Sequence, residues 1–160
     1  MLYFLRILKY NLRQKISPFM KNFGYCIWLL PNNTNWNNYT NGFIFHMTIK
    51  HSLTLSDARN IYSKLKISSQ IMELSEKYTL DKDDNFNALY YILKTENIQE
   101  CFPKNFHVSL FYKYKESITN EEIQKIEKLS NTVIFDKIAL VDCNNKHFKD
   151  WNIICCKKLL

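Results

Sequence analysis

The segments FHMTI (residues 45–49) and FHVSL (residues 106–110) repeat one pattern of side chains. Each reads aromatic, histidine, apolar, hydroxyl, apolar, and one copy lies in each half of the chain. Residues i and i+2 of a β-strand point to the same face of the sheet. Each segment therefore predicts a strand with an imidazole beside a hydroxyl on one face and apolar side chains on the other. Two such strands would bring two histidines and two hydroxyls to one cleft.

This predicted cleft has the groups that phosphodiester hydrolysis needs. An unperturbed imidazole titrates near pH 6.5, so His46 and His107 can divide the roles of general base and general acid. The hydroxyls of Thr48 and Ser109 can donate hydrogen bonds to phosphate oxygens during the reaction. We expect no metal and no cofactor, because the chemistry needs neither and the sequence has no carboxylate cluster that predicts a metal site.

Composition indicates one domain with a packed core and an anionic ligand. The 160 residues include 22 Lys and Arg against 15 Asp and Glu, which gives a net charge of +7. A hydrophobic fraction of 46%, with only 2 Gly and 3 Pro, argues against a disordered chain or a loop-dominated fold. The five cysteines are odd in number and lack metal-binding spacing, which predicts reduced thiols in a cytoplasmic protein. No apolar run is long enough to span a bilayer.

Residues 1–22 form a basic extension that differs from the rest of the chain. They contain no Asp or Glu, and their leucines recur at helical spacing. We predict a helix that packs on a single domain formed by residues 23–160. Contact of residues 1–20 with a membrane surface stays open as an alternative, because a basic amphipathic helix can also lie on lipid headgroups.

Hydrophobic patterning predicts an α+β fold for residues 23–160. Two helices are expected to begin after the N-caps Thr54 and Thr119, the second with a capping box closed by Glu122. Residues 32–42 are rich in Asn and predict a loop. The predicted strands are 24–30, 43–50, 86–94, 105–112, 133–141 and 151–156, and the segment 71–80 is expected to contain another strand. Because each half holds one histidine strand followed by a helix, we expect two similar lobes around a central cleft.

The paired His-x-Thr/Ser motifs resemble those of the 2H phosphoesterase superfamily. The chain is most similar to the cyclic phosphodiesterase branch that plant and fungal enzymes typify. YCIWLLP (residues 25–31) resembles the opening strand of that branch, which carries Trp and ends in Pro. LTLSDA (residues 53–58) is similar to the segment before its first helix, and HVSLFY (residues 107–112) to its second motif. The resemblance covers residues 25–157, with phenylalanine before each histidine where many relatives have proline.

The resemblance implies a two-lobed fold with two pseudo-symmetric antiparallel sheets, outer helices and a central cleft. It also implies hydrolysis of nucleoside 2′,3′-cyclic phosphates or ADP-ribose 1″,2″-cyclic phosphate to a 2′-phosphomonoester. Carried over to this chain, His46 and His107 are the acid/base pair, and Thr48 and Ser109 bind phosphate. Tyr112 contacts the phosphate or shapes the pocket. The two motifs are nearly symmetric, so the sequence leaves open which histidine is the base.

Two other functions stay open besides hydrolysis of a small cyclic phosphate. Other members of the superfamily cleave 2′-5′ oligoadenylate or cyclic dinucleotides such as 2′,3′-cGAMP, and viral members use this to blunt host signalling in the host cytoplasm. Trp36 and Tyr39, in the loop before the first motif, are candidates to stack on a base of such a substrate. A non-catalytic module that binds RNA ends or nucleotides is the third possibility. We expect a monomer that binds a small nucleotide or short oligonucleotide and has no stable protein partner.

Overall fold

The computed structural model describes residues 23–82, 86–127, 129–145 and 147–160. The predicted N-terminal helix lies outside the described residues. The elements are β1 (Tyr25–Pro31), β2 (Met47–Leu53), α1 (Leu55–Lys64), β3 (Gln70–Leu74), β4 (Thr79–Lys82), β5 (Phe86–Lys94), β6 (His107–Tyr114), α2 (Asn120–Ile126), β7 (Thr132–Asp142) and β8 (Asn152–Lys158). Two 3-10 helices cover Thr34–Tyr39 and Phe148–Asp150.

The fold is α+β, as the sequence predicts, with an antiparallel sheet of eight strands in the described residues. The strands are hydrogen-bonded in the order β1-β2-β6-β5-β3-β7, and β7 also pairs with β1, so the pairings form a closed circuit. β8 adds to β7, and β4 adds to β5. We expected two separate sheets; the strands instead join into one. The junction between β2 and β6 is narrow and consists of the pair Met47↔Val108.

Two strand predictions change because local hydrogen bonds compete with the sheet. The segment 71–80, expected to contain another strand, is divided into β3 and β4 by a bend in which the Ser75 hydroxyl donates to the Lys77 carbonyl at 2.8 Å. The predicted strand 43–50 begins only at Met47, because the Phe45 N–H donates to the Asn37 side-chain oxygen at 2.7 Å. The two catalytic histidines predicted from sequence therefore lie at strand starts, His46 just before β2 and His107 at the first position of β6.

Both helix starts agree with the sequence prediction. The Thr54 hydroxyl accepts a hydrogen bond from the Asp57 N–H at 3.1 Å and begins α1. Thr119 and Glu122 form a reciprocal capping box at α2, in which the Thr119 N–H donates to the Glu122 carboxylate at 2.8 Å. Each helix presents an apolar side chain to the core, Ala58 from α1 and Ile126 from α2, and both are fully buried.

The core fixes which face of β2 and β6 carries the polar residues. Met47 and Val108, the central apolar residues of the two motifs, are both 0% exposed and belong to the same hydrophobic cluster. Burying side chains of this size stabilises the fold by roughly 1.5 to 3 kcal/mol each. A shift of one residue in either strand would exchange its two faces and expose this set. Burial of the apolar residues thus holds the histidines and hydroxyls on the opposite face.

Candidate active site

The register of β2 and β6 brings the two motifs together. Because the strands are antiparallel and Met47 lies opposite Val108, extending the register by one residue puts His46 opposite Ser109 and Thr48 opposite His107. Side chains opposite each other have Cβ atoms about 5 Å apart. All four polar residues line one cavity of about 420 Å³. The structure therefore gathers the two imidazoles and two hydroxyls into one compact array, which we call the His–hydroxyl array.

Two contacts fix the position and the orientation of the His46 ring. Its ring stacks on Trp28 with centroids 3.5 Å apart and planes 10° from parallel. Its Nδ1 lies 2.6 Å from the Ile44 carbonyl oxygen. A carbonyl only accepts hydrogen bonds, so Nδ1 carries the proton and donates it. The Nε2 atom of neutral His46 therefore has its lone pair available for a ligand in the cavity.

His107 is oriented by the same local device. Its Nδ1 lies 3.4 Å from the carbonyl oxygen of Asn105, which is two residues earlier in the chain. Ile44 stands in the same relation to His46. The ring of Tyr90 contacts it with centroids 5.0 Å apart. This second Nδ1 contact is longer than the first, yet it favours the same tautomer of the neutral ring.

An aromatic residue stands in the same place beside each motif. Trp28 of β1 pairs with Thr48, and Tyr90 of β5 pairs with Ser109. Each aromatic ring also contacts the histidine two residues before that hydroxyl. The surroundings of the two motifs are thus related in the same way as the motifs themselves. Sequence reasoning missed both aromatic residues as site residues, because their position depends on the registers of β1 with β2 and of β5 with β6.

Burial lowers the pKa values of both histidines, but neighbouring charges act on the two pKa values in opposite directions. Burial lowers the pKa of His46 from 6.5 to about 4; its bond to Ile44 opposes this, and the nearby His107 adds to it. Burial also lowers the pKa of His107, against the opposing effects of the Asn105 carbonyl and the Asp81 carboxylate. Asp81 is itself anchored, since its carboxylate accepts a hydrogen bond from the Tyr90 hydroxyl at 3.3 Å. Both imidazoles are therefore neutral at pH 7 while no anion is bound.

The lowered pKa of His46 predicts a loss of stability in acid. In the unfolded chain this group takes a proton near pH 6.5, whereas in the folded protein its pKa is about 4. Between those pH values the unfolded state binds more protons than the folded state. The contribution of His46 to the free energy of unfolding is therefore fully present above pH 6.5 and decreases as the pH falls. We expect His46 to account for about 2 to 3 kcal/mol of lost stability between pH 7 and pH 4.5.

Urea unfolding at these two pH values measures this loss. The His46→Asn variant has no titratable side chain at position 46. Its free energy of unfolding should therefore change by about 2 to 3 kcal/mol less than that of the wild type between pH 7 and pH 4.5. Equal pH dependence in the two proteins would contradict the burial of a neutral His46.

Tyr112 joins the array through Ser109. It lines the cavity, and burial raises its pKa to about 12, which keeps the phenol protonated; a hydrogen bond with the Ser109 side chain partly opposes this rise. The strand around it is held by the Asn41 side chain, whose amide donates to the Tyr112 carbonyl at 2.8 Å. Tyr112 therefore lines the same cavity as the four residues of the His–hydroxyl array.

The prediction that Trp36 and Tyr39 stack on a substrate base needs correction. Neither residue lines the cavity. The Trp36 ring packs against Phe45 with centroids 5.0 Å apart, and Tyr39 packs on Trp36 at 6.1 Å. Phe45 is fully buried in the hydrophobic core, on the face opposite to that of its neighbour His46. Trp36 and Tyr39 therefore pack against the core rather than line the cavity. The rings that line the cavity are those of Phe23, Trp28, Tyr90, Tyr112, Tyr114, Phe148 and Trp151.

Other features of the described residues limit the possible sites. In the parts of the chain given above, no three His, Cys, Asp or Glu side chains form a group that could hold a metal ion. The five cysteines are free thiols, with Cys26 and Cys143 buried and Cys156 exposed. None of the helices in the described ranges has the length and apolar character needed to cross a membrane.

Comparison with known proteins adds no family to this description. No protein family and no curated protein matches the chain. The resemblance to the 2H phosphoesterases therefore rests on the sequence motifs alone.

Proposed function

We propose that this protein is a metal-independent phosphodiesterase that hydrolyses a cyclic or 2′-linked nucleotide phosphodiester with His46 and His107 as its acid/base pair. The observation that carries this proposal is the His–hydroxyl array, in which two imidazoles and two hydroxyls line one cavity. The two Nε2 atoms supply base and acid, and the hydroxyls supply donors for a phosphoryl group. From the resemblance, the leading substrates are nucleoside 2′,3′-cyclic phosphates and ADP-ribose 1″,2″-cyclic phosphate.

The arrangement of strands supports a two-lobed 2H-like fold. β1, β2, β7 and β8 form one part of the sheet, which supplies the first motif and Trp28. β4, β5 and β6 form the other part, which supplies the second motif and Tyr90. The two parts meet at the narrow β2–β6 junction, with the histidines on either side of it, and also through β3, which pairs with both β5 and β7. We interpret these parts as the two lobes and the cavity between the motifs as the cleft.

The reaction follows from the groups in the array. The Nε2 of neutral His46 takes a proton from a water molecule, whose oxygen attacks phosphorus and forms the new P–O bond. The bond from phosphorus to the leaving ribose oxygen breaks, and the Nε2–H of protonated His107 gives that oxygen a proton. Thr48 and Ser109 donate hydrogen bonds to the non-bridging oxygens, where charge is redistributed in the transition state. The products are a phosphomonoester and a ribose hydroxyl.

The environments of the histidines favour His46 as the base. Deep burial against Trp28 lowers its pKa to about 4, so this imidazole is neutral over most of the pH range. His107 has the Asp81 carboxylate as an electrostatic partner, which favours its protonated form. A bound phosphate adds a second negative charge beside both rings and raises their pKa values. Substrate binding is therefore expected to favour the protonated form of His107, which then acts as the general acid.

A panel of phosphodiesters tests this function. We expect cleavage in the presence of EDTA of at least one compound among the four nucleoside 2′,3′-cyclic phosphates, ADP-ribose cyclic phosphate, 2′-5′ oligoadenylate and 2′,3′-cGAMP. Chromatography of the products gives both the substrate and the isomer of the phosphomonoester. Tight binding of one compound without cleavage of any would contradict the proposal and favour the non-catalytic binding module. Activity that EDTA abolishes would contradict the metal-independent mechanism.

A further inference from the structure

The strands β2 and β6 each contain a β-bulge at the same place in their motif. In β2, the pairing with β1 shifts by one residue between Thr48 and Lys50. In β6, the pairing with β5 shifts by one residue between Ser109 and Phe111. Each shift directly follows the hydroxyl residue of the motif. Because a bulge adds one residue to its strand, it changes the alternation of faces beyond that point.

The bulges decide which residue after each hydroxyl faces the cavity. In a regular strand the second residue after the hydroxyl would share its face. Phe111, the second residue after Ser109, is instead 3% exposed and packs in the core, whereas Tyr112 lines the cavity. His51, which like Tyr112 is the third residue after its hydroxyl, Thr48, also lines the cavity. His51 and Tyr112 therefore occupy equivalent positions in the two motifs.

These two equivalent residues lie on opposite sides of the His–hydroxyl array. Along β2 the chain runs from His46 to the level of His107 and continues to His51, which therefore lies on the side of His107. β6 runs in the opposite direction, so Tyr112 lies on the side of His46. A phosphoryl group bound at the array would consequently lie between the side chains of His51 and Tyr112.

The surroundings of His51 suit an anionic ligand. Its Nδ1 lies 2.9 Å from the Ser52 hydroxyl oxygen, and the Ser52 N–H donates to the Phe23 carbonyl at 2.8 Å. Because this contact engages Nδ1, Nε2 is the ring nitrogen that would meet a ligand in the cavity. Among the described residues that line the cavity none is Asp or Glu, and Lys50, next to His51, adds positive charge.

From these observations we infer that His51 is a third histidine of the site, which binds the phosphoryl group of the substrate by donating a hydrogen bond from Nε2 to a non-bridging oxygen on the side of His107. The inference rests on the proposed function and adds a binding residue to it. His51 transfers no proton in the reaction. Its contact is made with substrate and transition state alike, so its loss changes KM rather than kcat.

Phosphate binding followed by NMR of the histidine side chains tests this inference without relying on turnover. The full-length chain has four histidines, so each imidazole signal is assigned by its loss in the corresponding asparagine variant. We expect titration with inorganic phosphate to shift the signals of His46, His51 and His107 with one common Kd. The His147 signal should not shift, because this exposed residue lines neither this cavity nor the smaller one, of about 260 Å³, that shares Trp28 as a wall.

Variants of His51 measure the contribution of its contact. His51→Ala should weaken phosphate binding about fivefold, because one hydrogen bond to a charged ligand is lost. His51→Gln should stay within about twofold of the wild type, since its amide nitrogen can take the place of Nε2. In turnover of a cleaved compound, His51→Ala should raise KM about fivefold and leave kcat within about twofold. His147→Ala is the matched control and should change neither the Kd nor KM by more than about twofold.

The outcomes separate this inference from the proposed function. A His51 signal that stays in place while those of His46 and His107 shift would overturn the inference and leave the proposed function intact, as would equal Kd values for the wild type and His51→Ala. Phosphate binding weaker than about 10 mM at all four signals would count against both. A chain in which phosphate shifts the His51 signal but which cleaves no compound of the panel would support the contact and contradict the proposed function alone.

Discussion

Replacing His46 or His107 by asparagine lowers kcat by at least about a hundredfold, because each substitution removes one of the two proton-transfer groups. Asparagine is chosen because its side-chain NH₂ can occupy the place of the imidazole Nδ1. It can therefore keep the hydrogen bond to the carbonyl of Ile44 or Asn105, while Nε2 is lost. The two variants together should cost little more than either alone, since an acid and a base that act in one step form a unit.

His147→Asn is the matched control for these variants. His147 is exposed, lines neither cavity and lacks a hydroxyl residue two positions later. Its kcat should equal that of the wild type. Thermal unfolding of every variant shows whether loss of activity reflects loss of the fold. A folded His46→Asn or His107→Asn protein that retains more than about a tenth of wild-type kcat would remove that histidine from the mechanism.

The pH dependence of kcat/KM is expected to be bell-shaped with its maximum below pH 6.5. The free protein must hold His46 neutral and His107 protonated, and burial lowers the pKa of both groups. Activity falls on the acid side as His46 gains a proton near pH 4 and on the alkaline side as His107 loses one. Above the pKa of His107 each pH unit costs tenfold, so between pH 6.5 and 8.5 kcat/KM should fall about a hundredfold.

The kcat profile provides a second readout of the same groups. It reports the complex with substrate, in which the phosphate raises the pKa of His107, so its alkaline limb should lie at higher pH than that of kcat/KM. The Asp81→Asn variant removes the carboxylate that opposes the lowering of that pKa, so its alkaline limb should move to lower pH. Because interacting groups titrate as a pair, the limbs belong to the pair rather than to single residues. A profile flat from pH 5 to 9 would contradict two-histidine acid/base catalysis.

The sequence predicts the His–hydroxyl array because apolar and polar residues alternate along each of the two motifs. Apolar residues at 45, 47 and 49 and at 106, 108 and 110 are buried, and this alone decides where the histidines and hydroxyls point. The helix starts are equally local, since Thr54 and Thr119 satisfy N–H groups within their own first turns. Features determined within about five residues are thus the ones that the sequence predicts well.

The rest of the site depends on contacts between distant parts of the chain. Trp28 lies beside His46 only because β1 pairs with β2 in one register, and no pattern within β1 predicts that register. Trp36 and Tyr39 share the loop that precedes the first motif, yet the packing of Trp36 on Phe45 directs them to the core. The 3-10 helix Phe148–Asp150 likewise contacts Phe43, which lies more than a hundred residues earlier in the chain. Long-range packing, rather than composition, decides these positions.

The joining of the strands into one sheet decides where the two motifs lie relative to each other. A single pair, Met47↔Val108, links β2 with β6, and both of its side chains are fully buried. The sheet circuit also closes through β3, which pairs with both β5 and β7. The two motifs are therefore connected through the sheet in both directions, directly at β2–β6 and through β5, β3, β7 and β1. Catalysis by positioned acid and base groups depends on this relative placement.

The most direct test of the account is phosphorus-31 NMR of adenosine 2′,3′-cyclic phosphate and the 2′-5′-linked adenosine dinucleotide during incubation with the protein in EDTA. The wild-type chain should convert the diester resonance of at least one of them into a monoester resonance. The folded His46→Asn/His107→Asn protein at the same concentration should leave both diesters intact. Conversion at the same rate by the double variant would contradict phosphodiester hydrolysis at the His–hydroxyl array, as would unchanged diester resonances with the wild type for these two compounds and for every other compound of the panel above.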